Sequence, residues 1–408
     1  MINKFHKIIL PLLLKNSRVF KMHIKDKSII DLGKIQEHLL DMFNGDVHAK
    51  RVLSIANAVI GVITSTSLAV HLIGQGFSVA KGRVTKHGIK QIDRLLSNIK
   101  FNVWNYFYYW IPEIVGSRTE IIVAMDWTEF EKDKHSTIAI YLVTNHGRAT
   151  PLLWKTHSKS RLKNNRNRYE REILSHLKDT LPVGVHVTVL ADRGFGYVEF
   201  YAELEKLEFD YVVRFKSNIY VTSNDGEERT AKEWLGKNGR AKRLEDAGIT
   251  REFGKYIPVV ICVQKKGMKD IWCLVSSTPE FKTNEIINFY AKRWSIEPKF
   301  RDQKNLRFGM GMYNVSISNE NRRDRLFFIA AISDLMLTIL GAAGEALGLD
   351  KLLKANTVKR RVHSLYRQGL MWYDLIPNMP EDRLKSLMSK FSELLLEKEV
   401  TKKILSFV

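Results

Sequence analysis

Apolar positions recur at helical spacing through residues 1–115, with little strand patterning. In RVTKHGIKQIDRLLSN, Ile89, Ile92, Leu95 and Leu96 form the apolar side of a helix. Lys86, Lys90 and Arg94 lie four apart on another face, and a solvated face and a DNA-facing one both fit that arrangement. From about residue 119 the pattern changes. EIIVAMDWTEF begins as a β-branched strand that ends at Asp126, and STIAIYLVTN and ATPLLWKTHS are two further strands. NRYEREILSHLKDTL is an amphipathic helix, HVTVLADRGF a buried-type strand ending at Asp192, YVEFYAELEKLE a helix and DYVVRFKS a strand. This order predicts an α/β chain with a mixed sheet flanked by helices.

Residues 218–278 return to short strands and turns, with VVICVQKK and DIWCLVSS the clearest, and read as a β-rich insertion. TNEIINFYAKRWSIEPKFRDQKN predicts a long helix, and the chain from there to Val408 is helical. The shifts in pattern divide the chain into a helical N-terminal region (1–115), a first part of the core (116–217), the insertion (218–278), a second part of the core (279–345) and a helical C-terminal region (346–408).

Charge narrows the partners. Lys and Arg number 65 against 44 Asp and Glu, a net charge of +21. Such a surplus calls for an anionic partner, nucleic acid first and a membrane surface second. Two cysteines, Cys262 and Cys273, exclude a disulfide framework and a Cys-rich zinc site, and a reducing cytoplasm fits. At the N-terminus, MINKFHKIILPLLLKNSRVFK has an apolar run stopped by Lys15, Arg18 and Lys21 with no small-residue cleavage site after it, so it reads as a basic amphipathic segment. The uncharged stretch between Arg51 and Lys81 is studded with polar residues, and Leu326–Ala343 carries Ser333 and Asp334. A carboxylate is costly in hydrocarbon, so both are expected to be buried helices and no membrane partner is expected.

The candidate chemistry lies in three acids. Asp126 and Asp192 each follow a short apolar strand, where a strand emerges from the core and α/β sheets bind ligands. One such acid is usually a cap or turn residue; two on adjacent strands suit a divalent cation. The third is Glu297. Tyr290, Arg293, Glu297 and Lys304 fall at offsets of 0, 3, 7 and 14, within an arc of about 60° on a helix turning ~100° per residue. Phe289, Ile296 and Phe300 form an apolar stripe beside them. A plain salt-bridge ladder shows some of the same features. Pro298 is expected to kink this helix or to begin its second half.

The spacing Y-x2-R-x3-E-x6-K resembles the signature of the DDE transposases of the IS-four insertion-sequence family, which includes the enzymes of the tetracycline- and kanamycin-resistance composite transposons. DWT at Asp126 and ADRGF at Asp192 resemble the first and second aspartate motifs of that family. TKHGIKQIDRLLSN resembles part of the N-terminal DNA-binding region of the tetracycline-transposon enzyme, and ANTVKRRV part of its C-terminal region. The resemblance spans about residues 80–370. It implies an RNase H-like core interrupted by the β-rich insertion before the glutamate. The 105 positions from Asp192 to Glu297, against 66 from Asp126 to Asp192, leave room for one.

The implied activity is cut-and-paste DNA transposition: hydrolysis frees a 3′-OH at the element end, this attacks the opposite strand to form a hairpin, the hairpin is opened, and the 3′-OH attacks target DNA. Such chemistry needs two divalent cations about 4 Å apart held by carboxylates. Magnesium is expected, with manganese as a substitute, Asp126 bridging and Asp192 and Glu297 each completing one ion. Tyr290, Arg293 and Lys304 are expected on phosphates near the scissile bond. Arg193 is expected on phosphate or paired with a carboxylate. Trp272 fits both a platform for a flipped base, as the family pattern suggests, and core packing; Trp127 and Trp294 read as core. KTHSKSRLKNNRNRYER, with Lys155, Lys159, Arg161, Lys163, Arg166, Arg168 and Arg171, reads as a phosphate-tracking surface. Lys86, Lys90 and Arg94, with Arg360, Arg361 and Arg367, are the expected readers of the terminal inverted repeats. A homodimer on DNA and a bacterial, nucleoid-associated location follow from the resemblance. The competing functions are a catalytically inactive, transposase-derived DNA-end-binding protein and a nuclease that cuts without joining.

Overall fold

A computed structural model describes residues 32–396 except Asn145, Gly147, 251–254 and 305–309. The basic N-terminal segment and residues 397–408 lie outside the described residues, as do the side chains of Phe300 and Lys304. The described residues form two compact units: residues 32–103 with 300–396, and residues 104–299.

The first unit opens with helices α1 (Leu32–Met42), α2 (Ala49–Ser65), α3 (Val70–Ala80) and α4 (Thr85–Ser97). The uncharged stretch is thus two helices, α2 and α3, bent by 96° at the break between them. Glycines let these helices approach closely. A Cβ on Gly88 of α4 would stand 2.4 Å from the Gly74 carbonyl oxygen of α3, and one on Gly74 would stand 2.5 Å from the Ile89 Cα. Ile92, Leu95 and Leu96 are buried as their spacing predicts, and Lys86, Lys90 and Arg94 are exposed.

The second unit contains α5 (Val103–Val115, its first residue in the preceding unit) and then the sheet. Strands β1 (Glu120–Phe130), β2 (His135–Leu142) and β3 (Thr150–Ser158) form an antiparallel meander. Helix α6 (Arg166–Thr180) leads to β4 (His186–Ala191), and α7 (Val198–Lys206) leads to β5 (Asp210–Phe215). β1, β4 and β5 run parallel. The order β3-β2-β1-β4-β5, with helices in the crossovers, is that of an RNase H-like core.

The expected insertion supplies β6 (Tyr220–Thr222), β7 (Glu228–Thr230), β8 (Lys242–Ile249), β9 (Lys255–Val263) and β10 (Trp272–Ser276). β10 pairs antiparallel with β5, so the insertion continues the core sheet into ten strands, β3-β2-β1-β4-β5-β10-β9-β8-β6-β7. The sheet edge at β5 would otherwise leave a row of backbone groups unpaired, and β10 satisfies them.

The single long helix expected next is two: α8 (Thr283–Lys292) and α9 (Ile296–Lys304), joined by a 3-10 turn at Arg293–Ser295. The break precedes Pro298, which sits in the first turn of α9, where its missing N–H has no helical partner to lose. The helical 60° arc is therefore not one face: Tyr290 and Arg293 are buried and Glu297 is exposed.

The remaining helices of the first unit are α10 (Glu320–Ala346), α11 (Leu365–Leu375) and α12 (Glu381–Leu396). α10 is long and apolar enough to cross a membrane, but its apolar window is wholly buried inside the protein. Arg325 of α10 is buried and donates to the carbonyls of Leu96 at 2.9 Å and Phe101 at 2.7 Å, satisfying the exit from α4.

Candidate active site

β1 does not stop at Asp126; its antiparallel pairing with β2 runs on to Phe130. What ends there is its parallel pairing. Met125 is opposite Ala191, the last pair between β1 and β4. Asp126 and Asp192 are the next residues on each strand, so both acids stand side by side at the carboxyl edge of the parallel strands.

The two carboxylates are held alike. Asp126 Oδ1 accepts the Trp127 amide at 2.8 Å, and Asp192 Oδ1 accepts the Arg193 amide at 2.7 Å. Their second oxygens face one guanidinium: Arg293 Nη1 is 3.4 Å from Asp126 Oδ2, and Nη2 is 3.8 Å from Asp192 Oδ2. The Tyr290 hydroxyl donates to Asp192 Oδ1 at 3.2 Å. Arg293 is 5% exposed. Burial alone would lower its pKa, but Tyr290, Asp192 and Asp126 together hold it above its ordinary value. Burial likewise pushes the Tyr290 phenol up, so it remains a hydrogen-bond donor at neutral pH.

Tyr290 links the aspartates to the extended part of the sheet. The Trp272 ring, at the start of β10, meets the Tyr290 ring edge-on, with centroids 4.8 Å apart. Trp272 is only half-buried. Arg214 of β5 also reaches this region. Its Nη1 lies 4.0 Å from Asp192 Oδ1, and its Nη2 donates to the Ile271 carbonyl at 3.1 Å and lies 3.6 Å from Asp270. Arg193, Arg214, Lys216 and Lys269 line a cleft of about 650 Å³ beside it.

The structure thus brings together Asp126, Asp192, Tyr290 and Arg293, with Trp272 behind Tyr290. Glu297 stands exposed in the first turn of α9. Among the described residues no three His, Cys, Asp or Glu side chains gather closely enough to share a metal ion. Between the two aspartates it is Arg293 that neutralises charge. Lys304 ends α9, and Arg193 is exposed beside Asp192. Trp127 is partly buried against α6, while Trp294 is 50% exposed, contrary to its expected place in the core. In the basic stretch after β3, Lys159 pairs with Glu129 at 3.1 Å and Arg166 with Glu129 at 2.9 Å, so part of its charge is spent within the protein. In the other unit, Arg360 and Arg367 are exposed, and Arg361 is paired with Glu345 through Nε at 2.9 Å.

Two residues of this site were not anticipated. Arg214 is a cation directly after the apolar run Tyr211–Val213 of β5, and Glu170 is an acid on the apolar face of α6, in step with Ile173, Leu174 and Leu177. Both signals are present in the sequence, but neither names its partner.

Hard carboxylate oxygens, each about a third exposed and placed together at a sheet edge, are a donor set suited to magnesium or manganese. Sheet order and the crossover helices define the class: an RNase H-like core. Residues 117–333, more than half of the chain, match the model of the transposase DDE domain family, and the chain belongs to that family. It is a transposase by family, and the family implies DNA as its partner and generally uses divalent metal ions. Comparison with curated proteins finds no match.

Proposed function

We propose that this chain is the transposase of an insertion sequence of the IS-four type, moving its element by cutting it out and joining it to a target. The observation that carries this is the pair Asp126 and Asp192, set side by side by the β1–β4 register and held by the Arg293 and Tyr290 of the Y-x2-R-x3-E-x6-K spacing.

Asp126 and Asp192, which stand side by side, and Glu297, exposed in the first turn of α9, are the residues that would hold the divalent cations. When bound, those ions stabilise charge at phosphorus and favour ionisation of the attacking water or 3′-OH. The rest of the work falls to the chain. Arg293 and Tyr290 keep the carboxylates in place in the free protein. Arg293 and Lys304 are then suited to phosphate oxygens near the scissile bond. The first step breaks one P–O bond with water and leaves a 3′-OH on the element end. That hydroxyl next displaces a 3′ oxygen on the opposite strand, closing a hairpin. Water then breaks the new P–O bond and restores the 3′-OH, which attacks a target phosphodiester and displaces a 3′ oxygen of the target strand.

A hairpin needs a sharply bent strand, and an unstacked base needs an aromatic partner. Trp272, half-buried against Tyr290, is suited to receive one. The cleft lined by Arg193, Arg214, Lys216 and Lys269 suits the backbone beside it. Lys86, Lys90 and Arg94 on the open face of α4, with Arg360, Arg361 and Arg367, are the proposed contacts to element ends, in a dimer that holds two of them.

The test is incubation of the purified chain with manganese or magnesium and end-labelled DNA carrying the inverted repeats that flank its gene. Nicked, hairpin and joined products are expected in succession. Tight end binding without cleavage would make the chain an end-binding protein only, and cleavage without joining would make it a nuclease.

A further inference from the structure

Glu170 lies on the buried face of α6 at 2% exposure, whereas Glu172 on the same helix is exposed. Its carboxylate accepts the Trp127 indole N–H at 2.8 Å and the Tyr197 hydroxyl at 2.6 Å. A buried carboxylate with two neutral donors costs stability that an apolar side chain would not. The identity of the donors shows what that cost sustains. Trp127 directly follows Asp126, and its amide holds Asp126 Oδ1. Tyr197 stands just past the 3-10 turn Arg193–Phe195, which Asp192 caps.

Neither segment moves freely apart from its donor. Arg166, one turn before Glu170, lies 4.8 Å over the Trp127 ring and gives the indole a second hold. Gly196, next to Tyr197, packs so closely on β5 that a Cβ there would stand 2.8 Å from the Phe215 Cα. The Asp192 turn is therefore clamped between β5 and the Tyr197–Glu170 hydrogen bond. One side chain on α6 ties the segment carrying Asp126 to the segment carrying Asp192, while Arg293 joins the same two acids at their oxygens.

We propose that Glu170 is a positioning residue: through Trp127 and Tyr197 it sets the spacing of Asp126 and Asp192, and with it the affinity of that pair for a divalent cation. This rests on the aspartates being the cation ligands. Glu170 itself touches neither cation nor DNA nor either aspartate; it acts through the neighbours of the ligands, and since loss of a partner bonded directly to a ligand typically weakens metal binding about 10–100-fold, an effect at the lower end of that range is expected.

The experiment is manganese titration of the full-length chain by calorimetry, beside the manganese dependence of nicking. Glu170→Ala is expected to weaken binding about tenfold or more and to raise the half-saturating manganese for nicking by the same factor, while the rate at saturation recovers. Glu170→Gln, whose amide can bond both partners, is expected to restore most of the affinity. Tyr197→Phe keeps its ring and Trp127→Phe keeps a smaller aromatic ring; each loses its hydrogen bond to Glu170, and both are expected to show smaller shifts in the same direction. Unchanged manganese affinity in both Phe variants overturns the proposal, and these two decide it if Glu170→Ala does not fold. Asp126→Asn separates the two levels. If it abolishes manganese binding while the Phe variants bind normally, the Glu170 role alone fails; if it binds manganese as wild type does, the aspartate reading fails with it.

Discussion

Asp126 and Asp192 are held as counterparts: each turns one oxygen back onto the next residue's amide and the other toward a different nitrogen of Arg293. The symmetry follows from the register. Because Met125 pairs with Ala191, the two strands deliver their next residues to the same level. A slip of one residue would turn one acid to the opposite face of the sheet.

Replacing either acid is therefore expected to stop the chemistry while sparing the fold. Asp126→Asn and Asp192→Asn should each lower nicking by on the order of a thousandfold or more, because several kcal/mol of charge stabilisation are lost. Glu297→Gln should do the same. Gel-shift binding of element ends should stay within a few-fold of wild type. Nicking that continues in EDTA would refute metal dependence.

Arg293 neutralises two facing carboxylates in the free protein, so its removal should be felt before any DNA is bound. Arg293→Ala is expected to cost about 1–3 kcal/mol of stability, less than a fully buried pair because both acids are partly exposed. Manganese should recover part of the thermal midpoint in this variant, and less of it once Asp126→Asn is added. Equal recovery in the single and double variants would place the manganese elsewhere.

Burial pushes the Glu170 carboxyl above its ordinary range, with the Tyr197 and Trp127 hydrogen bonds only partly opposing it. The folded state then holds this proton more tightly than the unfolded state. Stability contributed by the group is full below the ordinary glutamate value, ~4.3, and is lost as pH rises toward the raised one. Glu170→Gln should remove that slope. In EDTA, its thermal midpoint relative to wild type should rise from about pH 4 to about pH 7. Parallel profiles would mean that Glu170 titrates as it does in the unfolded chain.

Lys86, Lys90 and Arg94 are exposed, so Lys86→Ala, Lys90→Ala and Arg94→Ala can be combined without disturbing the α3–α4 packing. The triple variant should bind element ends more weakly, and the salt dependence of binding should flatten by about 0.9 for each phosphate no longer neutralised. Deleting the N-terminal helices is a poorer test, because they share one compact unit with residues 300–396. An unchanged salt slope and unchanged end preference would remove this face from the DNA-binding surface.

Trp272→Ala should leave the first nick nearly normal and reduce hairpin formation about tenfold or more, since stacking a base on an aromatic ring is worth ~1–3 kcal/mol. An abasic site at the flipped position should partly rescue it, because less unstacking is then required. Denaturing gels resolve the products. An unchanged hairpin yield would return Trp272 to a packing role against Tyr290.

Local pattern was enough to place most elements of the sheet and its crossover helices, because strand and helix periodicities are written in neighbouring residues. It also marked Asp126 and Asp192 as the acids at strand edges and showed where Ile92, Leu95 and Leu96 would be buried. It did not show that β1 continues past Asp126, since that depends on β2 pairing beyond the point where β4 stops. Nor did it show that the insertion is the same sheet, which follows from β5 needing a partner at its open edge.

The largest difference lies at Arg293. Helical spacing alone put Tyr290, Arg293 and Glu297 on one face, but the 3-10 turn at Arg293–Ser295 interrupts that face. Two neighbouring carboxylates then draw Tyr290 and Arg293 inward and leave Glu297 exposed. Glu170 shows the same limit: an acid on an apolar helix face is visible in the sequence, but its donors, Trp127 and Tyr197, are 43 and 27 positions away. Sequence set which residues were available and which local elements carry them. Only the long-range strand register and the neutralisation of buried charge decided which of them meet.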